Sequence, residues 1–497
     1  MSLSKSDYML FLRHPAWLWL KKHAKHLLPP VDAGLQARFD EGHAFEPYAE
    51  ALFPELVRLG FSDFASYQTL TALTSNTWQN GATCVAQGRY EGGPLTCISD
   101  IVSRDGDAFV LTEIKSGTSV KPEHYFDLAF QRVVLEAAEF PITRCEVARV
   151  NRDYVRAGEI DPRELVAITD ITEEVAAQIE STRARIDQAL DVAASPNMPD
   201  PAPERARLKS YSEWLEIREK LDPPLAEDSI HRLPFMNAEK ATELIGAGIS
   251  TNDAIADPSV LSKSTRRYLN ARSHGLRTVD QKALDSFLSE ITYPVYYFDY
   301  ETSQSLLPPW DGTRPYQQVP FQYSLHIRRE PSGEVEHLEY LHRNDSNPMP
   351  ALLERLREDV GETGSVLVWY QAFEKTRNNE MAEAFPEHAA FLQGLNDRVI
   401  DLMNPFYDET ITDPAFKGSA SIKAVLPALL PELSYDDLDI REGASAARLW
   451  KEVTLTNPQA PEREKVYADL VEYCTRDTWA MVAIHGALQA MSQAHHQ

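Results

Sequence analysis

The run Tyr296-Tyr297-Phe298-Asp299-Tyr300-Glu301-Thr302 reads as a short β-strand that carries two carboxylates two residues apart. Strand side chains alternate with a period of two, so Asp299 and Glu301 share one face of whatever sheet they enter. Val366-Leu367-Val368-Trp369-Tyr370-Gln371-Ala372-Phe373-Glu374 reads as a buried strand running into a further acidic residue. Much later, Tyr473 and Asp477 stand four residues apart in a helical pattern, a spacing that puts them on one helix face. Carboxylates gathered this way can hold a pair of divalent ions of the kind that catalyse in-line phosphodiester hydrolysis.

A second acidic constellation lies near the start. Ser99-Asp100-Ile101-Val102, a turn at Asp105-Gly106-Asp107, and Phe109-Val110-Leu111-Thr112-Glu113-Ile114-Lys115 read as a β-hairpin. Alternation points Glu113 and Lys115 the same way and sends Ile114 to the core, and Asp100 on the neighbouring strand can reach the same patch. The plain alternative is a surface hairpin with an incidental Glu-Lys pair.

At 497 residues, with 43% hydrophobic and 25% charged residues, the chain is expected to fold as several globular α/β domains. A first unit is expected over 1–194. The Pro-rich stretch 195–203 opens a middle unit to about residue 290, and a third unit spans 291–497. In the middle unit, Gly246-Ala247-Gly248 joins two helical patterns as a helix-hairpin-helix would, offering backbone N–H groups to a phosphate. A glycine C-cap in a connecting bundle is the alternative. No run of eighteen apolar residues or signal-like start is present, and four cysteines are scattered without a Cys-x-x-Cys, so the expectation is a cytoplasmic protein with no membrane association. A formal charge of −26 opposes phosphate at long range, so any DNA path must be locally basic. Candidate patches are Lys21-Lys22-His23-Ala24-Lys25-His26 and Lys263-Ser264-Thr265-Arg266-Arg267.

The hairpin's Asp100…Glu113-x-Lys115 resembles the PD-(D/E)XK nuclease superfamily, in particular its RecB-type members. The resemblance implies a restriction-endonuclease-like fold in which Asp100 and Glu113 hold Mg²⁺. Lys115 would position or activate water and steady the phosphorane charge. It also assigns Glu46, in Gly42-x-x-x-Glu46, to the metal and Gln131 to substrate. Where that pattern continues to a tyrosine, this chain has Leu135. Relatives with an iron–sulfur cluster carry cysteines, and here His14 stands at the first such position, so no cluster is expected.

The last two hundred residues resemble the DEDD exonucleases of the ribonuclease H-like fold, tyrosine subclass. This implies Asp299, Glu301 and Asp477 as metal ligands and Tyr473 as the residue that orients the attacking water. The family's Asn-x-x-Phe-Asp motif reads Gln371-Ala372-Phe373-Glu374 here, which puts Glu374 in the ligand position, with Asp401 as a second candidate. Together with the loop Asp311-Gly312-Thr313-Arg314-Pro315-Tyr316-Gln317-Gln318, these motifs resemble an uncharacterised bacterial family that fuses the two nuclease types. In that loop Arg314 and Gln318 are candidate substrate contacts, a structural turn at Asp311-Gly312 being the alternative. The resemblance implies a nuclease with two Mg²⁺ or Mn²⁺ sites acting on DNA, RNA also being possible. It leaves two rivals: one live site only, or a non-catalytic nucleic-acid-binding or scaffold protein.

Overall fold

The computed structural model describes residues 2–30 and 32–496. Contacts divide the chain into two compact units, Met1–Ile255 with Leu306–Pro315, and Ala256–Ser305 with Tyr316–Gln497. It is a multidomain α/β protein, with one mixed sheet in each unit and helices between them in sequence.

The first unit's strands are β1 (Leu3–Ser4), β2 (Leu56–Arg58), β3 (Cys84–Gly92), β4 (Leu95–Asp105), β5 (Ala108–Lys115), β6 (Ile142–Val150) and β7 (Val166–Asp170). They form a curled sheet in the order β2-β3-β4-β5-β6-β7, with β1 added beside β4. The expected hairpin is β4–β5, antiparallel, closed where Gly106 takes a φ of 63° that a side chain would resist. β6 lies parallel to β5, which requires a crossover, and the helix Pro122–Ala137 supplies it. α1 (Lys5–Arg13), α3 (Ala33–Glu50), α4 (Phe64–Gln79) and α5 (Pro122–Ala137) pack against the sheet, and α2 (Pro15–His23) packs on α1. Tyr8 of α1 stacks on Phe130 of α5 at 4.9 Å between ring centroids, and both are fully buried. Each such ring contributes about 1.5–3 kcal/mol by leaving water, so α1 is fixed to the core close to its N-terminal end.

The helical stretch expected over 195–290 is shared between the two units. Its helix-hairpin-helix expectation does not hold. The helix Ala238–Gly246 is followed by two 3₁₀ turns, Asn252–Ala254 and Pro258–Val260, before the next helix starts at Lys263. The helix ends where Gly248 takes a φ of 80° and the Ile249 N–H donates back to the Leu244 carbonyl at 2.9 Å, while Pro258 begins the second 3₁₀ turn, with Asp257 accepting the Ser259 N–H (2.9 Å).

The second unit carries β8 (Thr278–Val279), β9 (Val295–Ser303), β10 (Val319–Arg328), β11 (Val335–Leu341), β12 (Ser365–Val368), β13 (Val399–Asp401) and β14 (Ile411–Thr412). Its main sheet runs β11-β10-β9-β12-β13, and β8 pairs separately with β14. β9, β10 and β11 are antiparallel, whereas β12 is parallel to β9 and β13 to β12. Gly364 precedes β12 at φ 90°, and a Cβ there would lie 1.9 Å from the Pro294 carbonyl oxygen, so only glycine lets β12 enter beside β9. A bulge at Phe321 shifts the β9–β10 register between Pro320 and Gln322, directly beside Glu301.

The helix Arg463–His496 packs across β9 and β10. Register and alternation explain the face it meets. Tyr297, Asp299 and Glu301 pair with His326, Ser324 and Gln322, so all six side chains point to one side. Polar ties lock the helix there. Tyr297 Oη and His485 Nδ1 lie 2.7 Å apart, His326 Nδ1 and Thr478 Oγ1 2.8 Å, and Gln322 Nε2 donates to the Leu470 carbonyl at 3.0 Å. Among the described residues no helix is long and apolar enough to cross a membrane.

Candidate metal centres

Asp299 and Glu301 project from β9 toward the Arg463–His496 helix, whose Tyr473, Cys474 and Asp477 face them. Ligand atoms of Asp299, Glu301 and Cys474 lie within 4.8 Å of one another. Glu374 reaches the same place from the helix Gln371–Ala384, close enough for the charge of Asp299 to act on it. One of Glu374's two oxygens, Oε2, is buried without any partner. Carboxylates about 5 Å apart repel by roughly 3 kcal/mol per pair even at an effective dielectric of 20. Burial and this mutual repulsion hold Asp299, Glu301 and Glu374 well above the usual carboxylate range. Asp477 is pushed up to about 6 by burial, moderated by hydrogen bonds from Tyr435 and Tyr473 and by the charge of Lys423. Tyr435 Oη donates to Asp477 Oδ1 at 2.6 Å, and Lys423 Nζ donates to Tyr473 Oη at 3.3 Å. A group of buried acids with an orphaned oxygen is the environment a divalent cation fits, because the ion returns each carboxylate to its charged form.

Asp401, the alternative to Glu374, is committed elsewhere. Its Oδ1 accepts the N–H groups of Tyr370 and Met403 (3.0 Å each), and Oδ2 accepts that of Gln371 (2.8 Å). Tyr370 sits at φ 76°, a left-handed conformation that costs a non-glycine residue about 1–2 kcal/mol. Asp401 therefore holds the strained turn that launches the Glu374 helix. Gln318 Oε1 accepts from Thr302 Oγ1 (2.6 Å), next to Glu301 on β9. Arg314 lies in the excursion Leu306–Pro315, which groups with the first unit, where Asp311 accepts the Gly158 N–H (2.8 Å). Arg314 is thus not among the residues that the second unit's own fold supplies.

In the first unit β5 leaves β4 after the Ile101–Thr112 pair, and the Ile114 N–H donates instead to Asp100 Oδ2 at 2.8 Å. That parting of the strands is where Asp100, Glu113 and Lys115 meet α5. Glu113 is fully enclosed: its Oε1 accepts from Lys115 Nζ (2.7 Å) and Lys5 Nζ (2.8 Å), and its Oε2 accepts from Gln131 Nε2 (2.7 Å). Asp127, one helical turn before Gln131, accepts from Lys115 (3.0 Å) and Gln131 (2.9 Å). Burial raises the Glu113 carboxyl, yet Lys115 and Lys5 outweigh it and hold Glu113 below its usual range. Asp100 behaves oppositely, pushed up to about 7 by burial and by the charge of Glu113.

Lys5, Asp127, Lys423, Tyr435 and Cys474 are site residues that the sequence reading missed. Asp127-x-x-x-Gln131 had a usable signal, since four-residue spacing puts both on one helix face. Lys5 had none, because its place depends on β1 pairing with Leu95 and Thr96 far along the chain.

Glu46 pairs with Arg58 at 2.9 Å, and Arg58 also pairs with Glu50. The two basic patches are also partly spent internally. Lys21 and Lys22 pair with Asp7 at 2.8 and 2.6 Å, Lys263 with Asp408 at 3.1 Å, and Arg267 donates to the Tyr407 and Gly418 carbonyls. His14 caps α2 by accepting the Ala16 N–H (3.1 Å) and stacks on Trp214, which accounts for it as a buried structural residue.

Residues 296–421 match the profile of a domain of unknown function (DUF2779). That span takes in Asp299, Glu301, Glu374 and Asp401, and ends before Lys423, Tyr473 and Asp477. The chain is similar to an uncharacterized protein of Ureaplasma parvum, UU173, at 23% identity over 298 residues, 54% of this chain and 41% of the relative. It is also similar to the uncharacterized protein MG366 of Mycoplasma genitalium, at 24% identity over 208 residues, 38% of this chain and 31% of that protein. The Mycoplasma pneumoniae homolog of MG366 matches at 25% over 207 residues, 38% of this chain and 31% of that homolog. The chain therefore spans less than half the length of the curated relatives it matches.

Proposed function

We propose that this chain is a metal-dependent nuclease with two sites, acting on DNA. The observation that carries the reading is the cluster of half-buried Asp299 with buried Glu301, Glu374 and Asp477, crowded together beside Tyr473. Two further features support it. The β11-β10-β9-β12-β13 order, with β10 alone antiparallel to the rest, agrees with a ribonuclease H-like domain of the DEDD type. The β3–β4–β5 meander followed by α5 and a parallel β6 agrees with a PD-(D/E)XK, RecB-like domain.

Mg²⁺ or Mn²⁺ bound at such carboxylates supplies an activated water and a counter-charge for the leaving oxygen. This chain's residues do the rest. Tyr473 presents its phenol toward the cluster to orient a water, and Lys423, donating to that phenol, fixes its direction. Tyr435, donating to Oδ1 of Asp477, fixes the orientation of that carboxylate. The product of this arrangement is stepwise 3′→5′ removal of nucleotides. In the first unit Lys115 lies on Glu113, where it can position water and steady negative charge on phosphorus, and Gln131 keeps Glu113 aligned. Work at two kinds of ends suits repair, recombination or defence against foreign DNA.

One observation favours a narrower second reading, in which the second site alone cuts: Glu113 already has three hydrogen-bond donors of its own. Single- and double-stranded DNA labelled at the 5′ or the 3′ end, incubated with Mg²⁺ or Mn²⁺, tests both readings. Loss of 3′ trimming in Asp299→Ala, with residual cutting removed by Lys115→Ala, establishes two working sites. Trimming lost in Asp299→Ala with no residual cutting leaves the narrower reading. No metal-dependent cleavage of any substrate, RNA included, removes both.

A further inference from the structure

Lys5 occupies a position that local rules disfavour. It is the first residue of α1, at the helix end where unpaired N–H groups already present positive charge. A residue that breaks a local rule while the surroundings hold it in place points to a task. Its ammonium lies 2.8 Å from Glu113 Oε1 and 3.7 Å from Asp127 Oδ1. Lys115 bonds that same Oε1 at 2.7 Å and Asp127 Oδ2 at 3.0 Å. Glu113 thus receives two ammonium groups on one oxygen, more than burial alone calls for.

The base of Lys5 is built to stay put. β1, immediately before it, pairs in parallel with Leu95 and Thr96 of β4, and Leu3 is completely buried. Ser4 and Asp7 form a reciprocal capping box around it, the Asp7 N–H donating to Ser4 Oγ and the Ser4 N–H to Asp7 Oδ2. Asp7 is in turn clamped by Lys21 and Lys22 of α2. The anchored backbone leaves the side chain as the mobile part, and it is one-quarter exposed.

We propose that Lys5 is a second positioning lysine of the first site, an internal cation that occupies Glu113 until a divalent ion arrives. On that arrival its ammonium yields Glu113 Oε1 and turns to a non-bridging oxygen of the DNA backbone. The inference rests on the nuclease reading of the first unit. It assigns Lys5 two effects of opposite sign, competing with the metal and assisting the substrate, which a merely structural lysine would not have.

The test uses the full chain with the second site silenced by Asp299→Asn, so that Mn²⁺ binding and DNA cleavage both report on the first. Lys5→Met and Lys5→Arg are compared in that background, with Lys115→Ala as the control for cleavage. Mn²⁺ affinity is read by electron paramagnetic resonance, and KM and kcat from a duplex DNA substrate. Removing one unit charge near the ion is expected to tighten Mn²⁺ binding roughly tenfold in Lys5→Met. The same change is expected to raise KM for DNA by about tenfold through the lost phosphate contact. Lys5→Arg, which keeps the charge and the fold, stays near its parent in both. Mn²⁺ affinity that is unchanged or weaker in Lys5→Met, or no Mn²⁺ binding in the parent, overturns the inference. If the parent shows no Lys115-dependent cleavage, the nuclease reading of the first unit falls. The Mn²⁺ comparison still decides whether Lys5 competes with the ion.

Discussion

The two acidic sites of this chain solve the same electrostatic problem in opposite ways. In the first unit Glu113 is met by the ammonium groups of Lys5 and Lys115, and Asp127 by that of Lys115, within hydrogen-bonding distance. Glu113 stays ionised below its usual range, whereas Asp100 is pushed up to about 7. In the second, Asp299, Glu301, Glu374 and Asp477 crowd together with Lys423 acting on Asp299, Glu301 and Asp477 from beside Tyr473, and all four are pushed upward. The first site carries its own counter-charge. The second is stable only when protonated or when an external cation enters. Buried charge without a partner is what folding avoids, so the second cluster is the stronger sign of a built ion site. On the proposed reading, the first is a site from which a cation of the chain would be displaced.

The largest effect that could break this contrast is catalytic. Asp299→Ala or Asp477→Asn is expected to lower 3′ trimming by roughly 10³-fold or more, as loss of a catalytic group does elsewhere. Trimming rates on 3′-labelled DNA at saturating Mg²⁺ are the measurement, and a loss below tenfold would remove these residues from the machinery. Next, Lys115→Ala is expected to lower first-site cutting by about 10²–10³-fold while leaving 3′ trimming intact. Tyr473→Phe sharpens the account of the second site. A residue that orients water without touching the ion should lose about 10–10²-fold in kcat with Mn²⁺ affinity unchanged, so weakened Mn²⁺ binding would make the phenol a support of the ligands instead.

Smaller, and free of any substrate, is the effect on stability. A carboxyl raised in the folded state binds protons more readily folded than unfolded, so its contribution is lost as pH rises above the unfolded value. For Asp477 that window runs from about 3.8 to about 6, and the other three acids extend it upward. The metal-free second unit should therefore melt progressively earlier as pH increases toward 8. Glu301→Gln should raise its melting temperature in chelator at pH 8 by roughly 2–6 °C, the equivalent of about 1–2 kcal/mol. Glu113 has the opposite sign: its depressed value adds stability above pH 4.5 that is lost only on acidification. Glu113→Gln should accordingly lower the first unit's melting temperature at the same pH, and a rise there would contradict the assignment of its counter-ions.

How far the sequence exposed these sites depended on how local each was. Asp299 with Glu301, Glu113 with Lys115, and Tyr473 with Asp477 are legible because a period of two or four fixes the shared face whatever the tertiary fold. The β4–β5 hairpin was legible from Gly106 in its turn. Asp401 was not separable from Glu374, because its role follows from the left-handed Tyr370 backbone, which no residue pattern announces. Lys5 and Lys423 reach their sites through contacts with residues distant in sequence, the first through a two-residue strand too short for any periodicity. The helix-hairpin-helix expectation fails because Gly248, at φ 80°, closes one helix and two 3₁₀ turns follow before the next one starts.

The central claim is that the second unit's carboxylates, which accept no ion pair from a lysine among the described residues, are the chain's stronger site for a divalent ion. Mn²⁺ binding isotherms on the full chain, on Asp299→Asn and on Glu113→Gln, at one pH near 8, test it most directly. The account predicts a tighter and a weaker class of sites in the unaltered chain, with the tighter class abolished by Asp299→Asn and preserved in Glu113→Gln. An isotherm that Asp299→Asn leaves unchanged, or a tighter class that disappears in Glu113→Gln instead, would contradict it.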